Sequence, residues 1–209
     1  GQDGTYYQRV PLREITIEPD KCAVTITENG SASQLKWGQD FIMRGSAVSP
    51  DVSIEAPVVF VGYGVRTPDG KYDDYAGVDV KGKIVAALNG APPSLPSELR
   101  AHLSATREKL RTAREHGVVG VLVLWTAKDD KILPWPRVVI GTGFPSMRWL
   151  GPDGIPSDSF PDIKVTAILS QLASERLFQH APKSWTEIQR DAEASKPQGF
   201  LLPVTASMR

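Results

Sequence analysis

Apolar and polar side chains alternate at the start of the chain, with the period of two that is typical of half-buried strands. The alternation is clearest over residues 22–27, and Asn29-Gly30 follows it directly. Asn-Gly favours a tight hairpin because both residues tolerate positive φ. We therefore predict a β-hairpin here, with its return strand at residues 35–37, and a further strand within residues 6–17. Residues 44–51 form a polar loop closed by Pro50.

The middle of the chain has nearly continuous apolar runs in place of alternation. Residues 56–65, 83–88 and 118–125 are runs of this kind, which suit strands buried on both faces. Between the last two runs, apolar residues recur at helical spacing, which predicts a helix over residues 98–116. Gly117 then fits the position after a helix where a left-handed residue is favoured. Strand, helix and buried strand in this order predict a βαβ unit and a partly parallel sheet.

The last third mixes short elements. Residues 137–140 and 163–169 are predicted strands, and the Pro- and Gly-rich residues between them are predicted to be mostly irregular. A short helix is expected from Ser170 to Phe178. Ser184 and Glu187 form a capping-box pattern that opens a helix to about Ser195, which Lys196-Pro197 ends. The pattern as a whole indicates a mixed α/β (α+β) fold.

Composition narrows the possible partners. The 209 residues carry 24 basic and 24 acidic side chains, so the net charge is zero and nothing indicates a nucleic-acid partner. No apolar run is long enough to predict a membrane span. Cys22 is the single cysteine, which excludes an internal disulfide. The sequence starts at Gly1 without Met, and we expect it to be part of a longer protein.

Motifs that would indicate catalysis or metal binding are incomplete in this sequence. Residues 77–83 fit most of a phosphate-loop pattern, but Ile84 stands where Ser or Thr is needed, and a strand is predicted next. The histidines, His102, His116 and His180, belong to no zinc-binding motif, and no Gly-x-Ser-x-Gly motif is present. We therefore predict no catalytic residue, no metal site and no cofactor in this chain.

Two features leave alternatives open. Asp73 and Asp74 could act as paired carboxylates in acid–base chemistry, cap a loop or contact calcium, and simple solvation is the favoured interpretation. Trp135, Arg137, Arg148 and Trp149 are candidates for contact with a substrate or partner, because long loops are often functional. The competing interpretation is that both tryptophans pin irregular loops onto the core.

The order of several segments resembles the protease-associated (PA) domains of aminopeptidases. Residues 59–65 (Val-Phe-Val-Gly-Tyr-Gly-Val) and residues 72–85 resemble the opening of such domains. Residues 109–122 resemble their helix and following strand. The similarity extends to Lys183-Ser184-Trp185 and to residues 196–200, which look like the return of the chain to a peptidase domain. It covers residues 56–209.

This resemblance implies a PA-like β-sandwich or open barrel with a βαβ unit and flanking helices. It implies an N-terminal hairpin segment at residues 1–55, a PA core at residues 56–181, and a returning helix and linker at residues 182–209. In the family, which is related to glutamate carboxypeptidase and the transferrin receptor, two zinc ions are held by the peptidase domain. No position here matches those ligands, and the implied parent is an exported bacterial zinc exopeptidase, periplasmic or extracellular.

Two functions then compete. The first is a non-catalytic module that shapes substrate access or partner binding beside the catalytic cleft of its own parent. The second is a free-standing domain that binds a protein or peptide. An independent hydrolase with an unrecognised site is a third, weaker interpretation.

Overall fold

Most strands of the protein join one open, curled sheet of mixed direction. The computed structural model describes residues 4, 6–48, 51–195 and 197–209. Its strands are β1 Leu12–Ile15, β2 Val24–Glu28, β3 Ser31–Gln34, β4 Phe41–Met43, β5 Ile54–Phe60, β6 Ile84–Leu88, β7 Gly120–Leu124, β8 Ser146–Trp149, β9 Val165–Leu169 and β10 Phe200–Met208. Its helices are α1 Ser97–Leu103, α2 Thr106–Glu115, α3 Ala127–Ile132, α4 Trp135–Gly141, α5 Gln171–Leu177 and α6 Trp185–Glu193.

The sheet has eight strands in the order β3-β2-β10-β5-β6-β7-β9-β4. β5, β6, β7 and β9 run parallel, and the remaining pairs are antiparallel. β1 and β8 pair separately as an antiparallel two-stranded ribbon, called the ribbon below. The mixed α/β fold with a βαβ unit is therefore confirmed.

The parallel strands are buried on both faces, as their apolar runs predict. In β6, Ile84, Ala86 and Leu88 belong to one apolar cluster, and Val85 and Ala87 belong to a second cluster on the other face. Helices cover these faces, and Trp185 and Ile188 of α6 are buried in the first cluster. The predicted helix of residues 170–178 and the capping box of α6 are also present, with Ser184 N donating to Glu187 Oε2 at 2.8 Å.

The predicted hairpin forms at Asn29 and Gly30, whose φ values are 48° and 79°. Its return strand is β3, which starts directly after the turn and not at residues 35–37, because a two-residue loop puts the next residue opposite Glu28. Pro50 lies outside the described residues. Lys196 does too, and α6 ends before it, at Glu193.

The single helix predicted over residues 98–116 is two helices. The hydroxyl of Ser104 donates to the carbonyl oxygen of Ala101 at 2.8 Å, and Ala105 is extended, so α2 starts anew at Thr106. The predicted stop is confirmed: Gly117 has φ 71°, and Val118 N donates to Ala113 O at 3.1 Å, closing the last turn.

Residues 137–140 are helical, so the predicted strand is wrong. Pro136 stands in the first turn of α4, where a proline is favoured, and Arg137 N donates to Pro134 O at 2.9 Å. The stretch after it is less irregular than predicted, because β8 finds a partner in β1. Of the strand expected within residues 6–17, the structure forms β1 alone among the residues described.

Residues 200–208 are a strand in the middle of the sheet, not part of a linker. β10 lies between β2 and β5 and buries Leu202, Val204, Ala206 and Met208. Pro203 obscures this alternation in the sequence, and the pairing with β5 shifts register between Leu201 and Thr205. The segments 1–55, 56–181 and 182–209 thus share one sheet.

Within the described ranges, no helix has the length and apolar character to cross a bilayer.

Candidate functional site

A cleft of about 350 Å³ opens where the ribbon meets α4 and the end of β4. Its lining combines apolar side chains with three arginines, and the apolar part includes Ile15, Ile42, Met43, Val138 and Phe144. The arginines are Arg44, Arg137 and Arg148. We call it the arginine cleft.

The ribbon supplies Arg148. Successive side chains of a strand point to opposite faces, so Arg148 and Ser146 share the face of the ribbon that lines the cleft. Arg13 of β1 is paired with Arg148 in the ribbon; Nη1 of Arg13 donates to Ala47 O at 2.9 Å, and Nη1 of Arg148 donates to Met147 O at 3.1 Å. The ribbon sits close to Gly45, where a Cβ atom would lie 2.5 Å from Cγ2 of Ile15. A glycine is therefore needed for this contact.

Helix α4 supplies Arg137, and Trp135 fixes that helix. The indole Nε1 of Trp135 donates to the carbonyl oxygen of Gly38 at 2.8 Å. Its ring meets the ring of Trp125 edge-on, with centroids 6.3 Å apart. Val138 packs on the second apolar cluster from the next turn. Arg137 thus projects from a helix that is anchored on both sides of it.

Arg44 follows the last residue of β4, and its backbone N donates to Thr166 O at 3.2 Å. Although its side chain keeps contact with solvent, desolvation, followed by the positive charge of Arg148, lowers the pKa of Arg44. Within the described part of the chain, no carboxylate lines the cleft and none of its three arginines forms an ion pair. The positive charge of the cleft is therefore not neutralised by a described acidic residue.

The structure separates the four residues predicted to contact a substrate or partner. Arg137 and Arg148 meet at the arginine cleft. Trp149 lies on the opposite face of the ribbon and is 53% exposed, beside the similarly exposed Leu12. Trp135 is half-buried and holds α4 in place, as the competing interpretation supposed. Whether any of them contacts a ligand stays a prediction.

The sequence analysis missed Arg44. It follows a strand of three residues that was not predicted, and no local pattern marks it. β4 pairs antiparallel with β9, which runs parallel to β7, and this pairing brings Arg44 to this end of the sheet. Arg44 could have been identified only from the tertiary contacts of β4 and not from the local sequence.

A larger groove of about 730 Å³ lies beside the cleft and shares Arg44 with it. Its charged lining has both signs, and some of these charges neutralise each other, as Lys21 and Glu18 do in an ion pair. Its other acidic lining residues include Asp20 and Asp51. The groove therefore lacks the single sign of charge that distinguishes the arginine cleft.

The side chain of Asp74 binds the backbone of the turn that follows β5. Its Oδ2 accepts from the backbone N of Tyr63 and of Val65, each at 3.0 Å, and its Oδ1 accepts from the Tyr72 hydroxyl at 2.7 Å. Burial raises the pKa of Asp74 to about 6, against the effect of these hydrogen bonds. The neighbouring Asp73 accepts from Tyr75 N at 2.9 Å. Both carboxylates thus cap the local backbone.

Lys109 of α2 is buried next to this turn. Its Nζ donates to the carbonyl oxygens of Tyr63 and Gly90. Desolvation lowers the pKa of Lys109 to about 7, although the charge of Asp74 acts in the opposite direction. The lysine joins α2 to the turns that follow β5 and β6.

The histidines lie apart, each with its own neighbour. His116 stacks on Tyr75 with ring centroids 4.4 Å apart, and His180 Nδ1 lies 2.8 Å from Glu28 Oε2. His102 Nε2 is 3.6 Å from Oε2 of Glu108. Among the described residues, no group of three histidine, cysteine or acidic side chains could hold a metal ion. The phosphate-loop-like residues 77–83 form a turn before β6, as expected.

No protein-family model and no curated protein matches this sequence. Among solved structures, the chain is similar to an aminopeptidase from Aneurinibacillus sp. strain AM-1, with TM-score 0.44 and 14% identity over 96% of this chain and 33% of that one. It is also similar to a zinc aminopeptidase from Bacillus subtilis, with TM-score 0.42 and 16% identity over 96% of this chain and 33% of that one. The chain thus spans about a third of the length of each of these two structures.

Proposed function

We propose that this chain is a protease-associated domain that binds peptide beside the catalytic cleft of an exported zinc exopeptidase and carries out no chemistry itself. The observation that carries the proposal is the arginine cleft. Among the described residues, its lining combines positive charge with apolar surface and contains no aspartate, glutamate, histidine or cysteine. Such a lining favours binding over proton transfer or nucleophilic attack.

The segments that carry the family resemblance support the same proposal. Residues 59–65 cover the end of β5 and its turn, residues 72–85 lead into β6, and residues 109–122 cover most of α2 and the first half of β7. They are the contiguous parallel core of the sheet. The zinc ions of the proposed parent belong to its peptidase domain, and no residue of this chain is proposed as a ligand.

The sheet has a core of its own, and its first and last strands along the chain, β2 and β10, pair directly. Ala23 N donates to Arg209 O at 2.8 Å and Arg209 N donates to Ala23 O at 2.9 Å, so the strands that begin and close the sheet are adjacent. A domain with a hydrophobic core of its own can be inserted in another protein. The peptidase domain of the parent is accordingly the proposed partner.

A free-standing peptide-binding module is the alternative. It is favoured by the position of the cleft, which the ribbon, α4 and the end of β4 form among themselves. In that case binding needs no second domain, and the gene encodes no zinc-ligand motifs beyond residue 209.

The test uses the full-length parent with both Arg137→Gln and Arg148→Gln. We expect kcat/KM to fall about tenfold or more for peptides long enough to reach the cleft, since charged hydrogen bonds contribute about 1.5–3 kcal/mol each. A minimal aminoacyl chromogenic substrate should be hydrolysed at the unchanged rate. The matched control is Arg190→Gln on α6, whose arginine does not line the cleft.

Two results would contradict the proposal. One is an unchanged kcat/KM for every peptide length in a correctly folded double variant. The other is peptide hydrolysis by this chain alone that survives repurification and is abolished by a substitution within it.

A further inference from the structure

We propose that the arginine cleft binds a peptide carboxylate that has an apolar side chain next to it. This inference deepens the proposed function and rests on it for the peptide nature of the ligand. The chemistry of the ligand follows from the cleft itself.

The positive charge of the cleft favours an anionic ligand. Arg44, Arg137 and Arg148 line it without a carboxylate, and guanidinium groups bind carboxylates through paired hydrogen bonds. Desolvation, followed by the positive charge of Arg148, lowers the pKa of Arg44, so the like charges of these two arginines oppose each other in the cleft. A bound carboxylate relieves this repulsion and replaces the acidic partner that no described residue provides.

The apolar part of the cleft selects against a small inorganic anion. Ile42 and Met43 line it and are buried, and Phe144 lines it and is 72% exposed. A phosphate or sulfate ion would satisfy the arginines and leave this apolar surface in water. A carboxylate with an adjoining apolar side chain covers the surface and gains hydrophobic free energy as well.

The size of the cleft sets the length of the bound segment. Its volume of about 350 Å³ is at the lower end of the range for ligand pockets, about 300–1,000 Å³. It accommodates one or two residues and not an extended peptide.

The backbone positions that carry the three arginines are fixed by packing and hydrogen bonds. Trp135 anchors α4 through its bond to Gly38, the ribbon is seated against Gly45, and Arg44 follows a strand paired in the sheet. Ligands lose less free energy on binding when the site is preorganised in this way. A small ligand can therefore bind measurably to so small a cleft.

The carboxylate has two possible sources, the C-terminus of a peptide or an acidic side chain. Isothermal titration of this chain with short N-acetylated peptides distinguishes them. The probes are acetyl-Ala-Leu with a free C-terminus, the same peptide as its C-terminal amide, acetyl-Glu-Leu-amide and inorganic phosphate. We expect binding of the first or third probe, and at least tenfold weaker binding of the second.

Variants assign the binding to the cleft. Arg137→Gln and Arg148→Gln should each weaken binding about tenfold or more, with Arg190→Gln as the control of equal charge change. Gly141→Phe is a second way to close the cleft, because a Cβ atom there meets no other atom within 4 Å. It blocks the site without altering its charge, and unchanged thermal unfolding verifies that each variant is folded.

Three results would overturn the inference. They are no binding of either carboxylate probe, binding of the amide or of phosphate that is equally tight, and binding that Arg137→Gln, Arg148→Gln and Gly141→Phe leave unchanged. These outcomes are separate from those of the proposed function. A fall of kcat/KM in the parent without carboxylate binding refutes the inference alone, and carboxylate binding without an effect on turnover refutes the proposed function alone.

Discussion

The side chain of Lys109 shows how one residue ties the pH dependence of stability to the fold. It is buried, it donates to two backbone carbonyl oxygens, and Asp74 stabilises its charge across the same turn. The sequence does not predict that Lys109 is buried, because it lies in a helix rich in charged residues that are mostly exposed. The capping role of Asp73 and Asp74, by contrast, was among the alternatives drawn from the sequence, because carboxylates in a glycine-bounded loop often accept backbone N–H groups.

Lys109→Met should flatten the dependence of stability on pH between 7 and 9. The pKa of Lys109 is about 7 in the folded protein and 10.5 without its surroundings, so the unfolded chain binds more protons between these values. The free energy of unfolding of the unsubstituted chain therefore rises with pH there, by up to about 1.4 kcal/mol per pH unit from this group. Urea unfolding at several pH values measures it.

The matched control is Lys128→Met, which removes an exposed lysine from α3. It should leave the slope unchanged. Equal slopes for the unsubstituted chain and Lys109→Met would show that Lys109 does not lose its proton more readily in the folded state.

Elements were predictable where their own sequence sets their structure. The buried strands, the Gly117 stop and the capping box of α6 were predicted, because continuous apolar runs, a left-handed glycine and a Ser-x-x-Glu pattern act locally. The prediction failed at α4, where Val138 and Val139 favour a strand but Pro136 and the anchor of Trp135 favour a helix. β1 and β8 depend on each other across more than 130 residues of sequence, so neither is marked locally. Arg137 and Arg148 were among the candidates although their elements were misjudged, and Arg44 was missed because it follows the short strand β4, which was not predicted.

Gly117→Ala should destabilise the protein by about 1 kcal/mol or more, because an L-residue is strained at positive φ. Its φ is 71°, and a Cβ atom there would lie 3.3 Å from Cγ of Lys81. Gly141→Ala makes the same chemical change at the end of α4, where φ is not positive and a Cβ atom meets nothing within 4 Å. We expect it to be neutral or to stabilise by up to about 1 kcal/mol. Chemical unfolding that gives equal effects for the two variants would refute the left-handed stop.

At the scale of the whole molecule, the sheet joins segments that the sequence suggested were distinct. β10 lies between β2 and β5, so the last strand of the chain is central. It joins the antiparallel strands β2 and β3 to the parallel strands that begin with β5. Local pattern could not predict this position, because Pro203 interrupts the alternation and because strand order is fixed by pairing over long sequence distances.

Deleting residues 200–209 should abolish cooperative unfolding. The deletion exposes the edges of β2 and β5 and removes four apolar side chains from the core, Leu202, Val204, Ala206 and Met208. Deleting residues 1–10, which precede β1, is the control of equal length and should preserve a cooperative transition. Circular dichroism during thermal unfolding distinguishes the two. A normal transition without β10 would show that these residues act as a linker.

The pairing of Ala23 with Arg209 also determines how the domain responds to mechanical load. β2 begins and β10 ends at the same side of the sheet, and their hydrogen bonds lie across the strands. A force that pulls residues 23 and 209 apart therefore acts along these bonds and breaks them one pair after another, beginning with the two bonds between Ala23 and Arg209. Strands loaded along their length would instead have to break all their bonds together. The strand that contributes four buried apolar side chains to the core can thus be detached from β2 by a force at this one end.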